Sequence, residues 1–399
     1  MLMGQRVPAI TGVSHPASST VDATTGASTN RSPKYHRAMR GDPNNTDPRW
    51  LTDGLERAGV ADGARVVEAR FVGYVGTGQT GSNARLGLTW DNPIRPDGSL
   101  RPPTVVGKYP SLDFGTRTDA FERGTYFNEF DFYTTLVGTL HVRTPNCYIA
   151  HYSDDPFDFA LIMEDLAGSQ QGDQFEGLTV EQAELAIEQA VGLHAPRWAD
   201  PLLDSFAPQR ARGEDAAEQL GAVYSMLVEP FLARLGPGLD DDVIQLVRDL
   251  VPLANTWAAG TGAPLTVVHY DFRPDNFMFG VHPDAAPLTV VDWQTVRQGQ
   301  GAFDLAYMIG GSFQPAQRAA VERALLRTYL ERMAAAGVPY GENQLWHDYR
   351  HASLWGVVMT VIATILAAKT ERGNRMLTVM GQRHGRHAIE LDALSLLRT

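Results

Sequence analysis

Cysteine is nearly absent from this chain: among 399 residues there is one, Cys147. A lone thiol closes no intrachain disulfide, so stability must come from packing, and Cys147 reads as a small buried hydrophobe. Long apolar runs are missing too. No stretch approaches eighteen apolar residues, and the chain does not open with a basic segment leading into an apolar one. Neither a membrane span nor a secretion signal is therefore expected. Basic charge is in deficit, with 34 Lys and Arg against 46 Asp and Glu, a net −12. That balance opposes nonspecific binding to nucleic acid or to an anionic membrane surface. Residues 1–48 have little apolar periodicity and much Ser, Thr, Pro, Gly and Asn, the composition of a flexible N-terminal extension. No internal repeat stands out at the usual periods.

What is present is a 43% hydrophobic chain able to bury a large core in one or two domains, and within it one dense polar run. His269-Tyr-Asp-Phe-Arg-Pro-Asp-Asn276 has the form H-x-D-x-x-x-x-N, and Asp292 follows sixteen residues after Asn276 in Val-Val-Asp-Trp. The strand-like runs Phe277 to Val281 and Leu288 to Val291 flank a polar His-Pro-Asp turn, which places Asp292 at the end of a β-hairpin. In phosphoryl transfer such an Asp accepts a hydroxyl proton, while Asn and the later Asp hold magnesium through hard oxygen atoms. Taken singly, each residue has a structural reading, since Asx side chains cap turns and end strands. Taken in order with the upstream signals, they point to a catalytic centre built around Asp271, Asn276 and Asp292.

Those signals begin at Gly76-Thr-Gly78-Gln-Thr-Gly81, a G-x-G-x-x-G run that alone is weak. A dinucleotide site would need a helix after the glycines. Here Leu86, Leu88 and Trp90 alternate with Arg85, Gly87 and Thr89, a strand pattern. The glycines therefore sit in a hairpin, where backbone N–H groups can approach phosphates closely. Gly81 is followed by Ser82 and Asn83, which excludes the Walker form. Thr104-Val-Val-Gly-Lys108 reads as a short strand ending in a lysine. Tyr126, Phe130, Tyr133, Val137 and Leu140 recur at helical spacing. Glu129 on that helix is the ion-pair candidate for Lys108. Glu122 lies one heptad earlier, and Gly124 between the two favours Glu129. Leu161-Ile-Met-Glu-Asp-Leu166 is an apolar strand turning polar, where Met163 and Leu166 would form apolar walls and the backbone around Glu164 would meet a nucleotide base.

With these residues assembled, the chain resembles the aminoglycoside phosphotransferase-like superfamily, and within it the choline and ecdysteroid kinase-like branch. The resemblance spans roughly residues 65 to 310 and rests on VGTGQTGSNARL, VVGKYP, YFNEFDFY, LIMEDL, GLHAPRW, HYDFRPDNFMF and VVDWQTVRQGQGAFDLAYMIG. It implies an α+β, two-lobed protein-kinase-like fold, with a small antiparallel-sheet N-lobe (49–166) and a larger, mainly helical C-lobe (167–399). It also implies ATP and Mg²⁺ as co-reactants and a hydroxyl on a small molecule as acceptor. Asp271 would be the catalytic base, and Asn276 and Asp292 the metal ligands. Gly76, Gly78, Gly81, Lys108, Glu129, Met163, Glu164 and Leu166 would surround the nucleotide. His-Tyr-Asp replaces the His-Arg-Asp of protein kinases, Asp-Trp-Gln replaces Asp-Phe-Gly, and no Ala-Pro-Glu segment follows Asp292. A protein substrate is therefore not expected. Cytoplasmic location follows from the need for ATP.

The acceptor half is less legible. An apolar alcohol is the first expectation, with an aminoglycoside-type antibiotic, or an inactive nucleotide-binding regulator, as alternatives. Trp346, Tyr349, Trp355 and Met359 read as core before pocket lining, His194 as a packing or capping residue, and Asp304 as a helix start. Arg372, Arg375, Arg383 and Arg386, with His384 and His387, read as a solvated helix face, a cationic site for an acidic substrate being the alternative.

Overall fold

The structure, a computed structural model, describes residues 43–76, 80–154, 157–205, 214–366 and 370–398. Of the flexible extension expected over residues 1–48, residues 1–42 lie outside the described residues. Pro43–Asn45 form a 3-10 turn with Pro43 buried, and α1 (Pro48–Arg57) follows from an Asp47 N-cap.

The small lobe is a five-stranded antiparallel sheet in the order β1-β2-β3-β5-β4. Its strands are β1 (Val66–Tyr74), β2 (Gly81–Trp90), β3 (Thr104–Pro110), β4 (Cys147–Asp154) and β5 (Phe157–Glu164). Period-two alternation decides which side chains share a face. Ala84, Leu86, Leu88 and Trp90 of β2, Val105 and Tyr109 of β3, and Ala160 and Ile162 of β5 join Leu51 and Leu55 of α1 in a small core. Phe159, Leu161 and Met163 point the other way, into the large core. Lys108, one residue from Tyr109 and paired with Leu161, is thus turned away from the small core.

Against that second face lie α2 (Phe114–Glu122) and α3 (Thr125–Asp131), separated by Gly124 at φ 70°. The single helix expected through Leu140 changes form. A π segment, Phe132–Leu136, and a 3-10 turn, Val137–Thr139, follow α3, and Leu140 is extended. Phe132 stacks on Trp293, with ring centroids 4.0 Å apart and planes 7° apart, a tertiary contact that local periodicity does not encode.

The large lobe contains α4 (Val180–His194), α5 (Glu214–Leu235), α6 (Asp241–Leu250), α7 (Ala254–Ala258), α8 (Ala302–Ser312), α9 (Pro315–Ala335), α10 (Glu342–Leu366) and α11 (Glu371–Glu390). Helices α6 and α7 are separated by a 3-10 turn at Val251–Leu253, because Pro252 removes a helical donor. Every residue of α8 is buried, so it forms the axis of the lobe. Gly310 and Gly356 let neighbours close in: a Cβ at Gly310 would stand 2.3 Å from His387 Nδ1, and one at Gly356 2.1 Å from His384 Nδ1. Two small sheets frame the polar run. They are β6-β8-β9 (Ser169–Gln171, Phe277–Gly280, Leu288–Val290) and β7-β10 (Thr266–Val268, Arg297–Gly299). Among the described residues no helix is long and apolar enough to cross a membrane.

Candidate active site

Lys108 and Glu129 meet between the lobes. The Lys108 ammonium lies 2.6 Å from Glu129 Oε2 and 3.0 Å from Asp292 Oδ1. Lys108 and Glu129 are buried, whereas the Asp292 side chain is 43% exposed and so remains open to a ligand. Burial alone would lower the Lys108 pKa, but the charges of Asp292 and Glu129 outweigh it, and the ammonium is held above its usual value. For Asp292 desolvation pushes upward, but Lys108, His269 and Arg273 together pull the carboxyl below its usual value. Burial raises Glu129, with Lys108 opposing. Glu122 ends α2 exposed and takes no part.

The polar run leaves β7 and is fixed through its backbone. Asp304, fully buried in the first turn of α8, accepts from His269 N and Tyr270 N, both at 2.8 Å. It is also 3.2 Å from His194 Nε2. The expected helix-starting residue thus holds the loop instead, and Gly301 occupies the N-cap. Trp355 Nε1 donates to Tyr270 O at 2.9 Å, and Thr295 Oγ1 to His269 O at 2.7 Å. Tyr270 and Asp292 have φ values of 64° and 66°, a left-handed backbone costly for side chains of this size and one that clusters at functional sites.

Asp271 is oriented from both sides. Its Oδ1 accepts from Arg273 Nε at 2.9 Å and its Oδ2 from Asn276 Nδ2 at 2.8 Å. Asn276 Nδ2 also donates to Asp271 O at 2.8 Å. Both amide hydrogens are thereby used, and the Asn276 carbonyl oxygen is left for another partner. Arg273 reaches on to Asp275 Oδ2 at 2.7 Å. Burial opposes its charge, yet Asp271 and Asp275 hold its pKa above the usual value. The sequence reading passed over Arg273; its signal was a lone cation two residues from an aspartate on either side.

Gly76 has φ 71°, which favours glycine, and a Cβ on Gly81 would stand 2.7 Å from Tyr109 O, which requires it. Gly78 lies outside the described residues. Thr80 Oγ1 donates to Gln294 Oε1 at 2.6 Å, tying the end of the glycine-rich turn to the segment after Asp292. Met163 lies in β5 against β3, and Leu166 is partly exposed beyond it. Glu164 is engaged elsewhere: its N–H donates to Asn146 O at 2.8 Å, and its carboxylate accepts from Arg143 at 2.7 and 2.8 Å.

The basic helix divides. Arg383, His384 and His387 of α11 are buried, contrary to the expected solvated face, because α11 packs on α8 and α10. Arg386 faces Asp240 and Asp242. Arg372 and Arg375 stay exposed. Tyr349 and Trp355 are core residues, as expected, and His194 packs against Tyr329 and Asp304.

Residues 122–336, just over half of the chain, match the phosphotransferase enzyme family. The chain belongs to that family. This phosphotransferase also shares its fold with an ethanolamine kinase from Plasmodium vivax, at TM-score 0.52 and 12% identity, covering 90% of this chain and 95% of that one. A choline kinase from Cryptosporidium parvum Iowa II gives TM-score 0.50 and 12% identity, covering 88% of this chain and 98% of that one. No curated protein matches the phosphotransferase by sequence.

Proposed function

We propose that this phosphotransferase moves the γ-phosphoryl group of ATP, with magnesium, to a hydroxyl of a small molecule. The observation that supports it best is the convergence of Lys108, Glu129 and Asp292 opposite Asp271, Arg273 and Asn276. Asp271 is the general base, with one oxygen held by Arg273 and the other by Asn276 so that a remaining lone pair can take the acceptor proton. Lys108 contacts the nucleotide phosphates and Glu129 fixes it. Gly76, Gly78 and Gly81 form the phosphate-covering turn, and Met163 and Leu166 flank the base. Glu164 supports that edge through Arg143 and Asn146 in this reading, not through its own N–H.

Magnesium fits the donor set. Among the described residues no three His, Cys, Asp or Glu side chains converge as a metal cage. The exposed Asp292 carboxylate and the uncommitted Asn276 carbonyl are instead two hard oxygen ligands, the number suited to an ion that also takes phosphate oxygens. When bound, magnesium would neutralise phosphate charge during transfer.

The decisive experiment is Asp271→Asn. The substitution keeps size and removes the proton acceptor, so ATP binding should persist while turnover falls by about 10²- to 10⁴-fold. Wild-type turnover in a folded variant would refute the assignment. In parallel, magnesium should increase the thermal stabilisation given by ATP, and Asp292→Ala should remove most of that increment. Identical ATP shifts with and without metal, in both proteins, would refute the metal ligands.

A further inference from the structure

The geometry points to an acceptor that is an amphiphilic hydroxy acid, with its hydroxyl at Asp271, its apolar body along one stripe of α10, and a carboxylate or phosphate at Arg372 and Arg375. This rests on the phosphotransfer reading and names the substrate class of the same site.

The stripe begins at the catalytic loop, since Trp355 Nε1 bonds the carbonyl of Tyr270, the residue before Asp271. Trp355, Met359, Ile362 and Ala363 follow at i, i+4, i+7 and i+8, which places them on one helix face. Met359, Ile362 and Ala363 pack on the large core and keep part of their surface open, and from Trp355 to Ala363 the helix rises about 12 Å. Helix α11 then runs back alongside. Gly356 faces His384, Gly381 faces Thr360, and Arg234 bonds both Thr364 O and Asn374 Oδ1 at 2.8 Å. Arg372 and Arg375, at the start of α11, therefore stand beside the far end of the stripe.

Both guanidinium groups converge on one aromatic ring, at 5.4 Å and 5.0 Å from the centroid of Phe175. That ring belongs to a turn fixed to the catalytic loop. Gln174 N donates to Asp275 Oδ1 at 2.8 Å, and Arg383 donates to Gln174 O at 2.7 Å and Phe175 O at 2.8 Å. One cation satisfies a partly exposed ring face; a second adds like-charge repulsion, which an anion removes. The other two arginines of α11 are committed to backbone carbonyls or to aspartates. Among the described residues no carboxylate forms an ion pair with Arg372 or Arg375, although acidic residues outnumber basic ones 46 to 34 in the chain. Charge of this sign suits an acid and opposes a polycation.

The test is calorimetric titration of the full-length chain, saturated with magnesium and ADP, using hydroxydecanoate, hydroxydecyl phosphate, decanediol and kanamycin. At least one anion should bind more tightly than decanediol, by on the order of ten- to a hundredfold. The two anionic probes separate carboxylate from phosphate recognition. Arg372→Gln/Arg375→Gln should lose that margin while melting temperature and magnesium–ATP binding stay unchanged. No saturable binding of either anion, equal binding of decanediol, tighter binding of kanamycin, or a margin that survives in the double variant would each overturn the inference. Magnesium–ATP titration of the same samples is read separately. Its failure counts against phosphotransfer, whereas its success with no anion preference counts against the hydroxy acid alone.

Discussion

Lys108 is a charge placed where a charge is expensive, and its two carboxylates explain why it is tolerated. Glu129 is 1% exposed and Lys108 8%, so neither has solvent to fall back on. Removing one partner of such a pair strands the other, which costs more than removing both. Lys108→Met should therefore destabilise the protein by about 3 kcal/mol, and adding Glu129→Gln should recover much of the loss. Chemical denaturation of the two single variants and the double checks this; additive losses would mean that the pair is not coupled. Both residues were legible in the sequence because strand alternation and a helix-breaking Gly124 act locally. Arg273 was not singled out, because its role depends on two aspartates brought together by the turn of the loop.

At the scale of elements, strands were easier to read than helices. Leu86, Leu88 and Trp90 of β2 alternate because one face is buried and the other is not, a signal contained in the chain itself. The π segment after α3 depends on Trp293 stacking from 161 residues beyond Phe132, and no window around Phe132 reports that. Asp304 shows the same limit: an acid ahead of an apolar run looks like a helix start, whereas its side chain satisfies the N–H groups of His269 and Tyr270. Asp304→Asn would turn an NH₂ toward at least one of those donors. It should cost about 2 kcal/mol of stability, and it should reduce turnover while leaving ATP affinity close to wild type, because the proposed phosphate and base contacts, Lys108 and Met163 among them, lie on the small lobe. Amide-exchange protection at His269 and Tyr270, measured beside the kinetics, separates loop release from global unfolding. Protection at wild-type levels in the variant would show that Asp304 does not hold the loop.

For the whole molecule, composition set the scale of the core and excluded disulfides, and motif order indicated two lobes. It did not show what the last helix hides. His384 and His387 of α11, and His351 of α10, are nearly inaccessible. Neither ring nitrogen of any of the three has a hydrogen-bond partner; His387 Nε2 is 3.7 Å from Glu322 Oε2. Burial pushes His351 down to about 4 and His384 down to about 3, the latter aided by Arg383, Arg318 and Arg273. Burial also lowers His387 far below 6.5. All three are therefore neutral in the folded protein, while in the unfolded chain they protonate near 6.5. Between that value and the folded values the unfolded state binds more protons, so stability rises with pH across the window and falls as acid is added. Each histidine contributes a loss of about 2 kcal/mol between pH 8 and pH 5. Glu322 acts in the opposite sense, since burial raises its pKa above 4.5 and favours the folded state toward acid. Comparison with a variant removes that contribution. The melting temperature should drop from pH 7.5 to pH 5 in the wild type, and the drop should be smaller in His384→Gln, which cannot take up the proton. Equal drops in both proteins would mean that His384 is not held neutral by the fold.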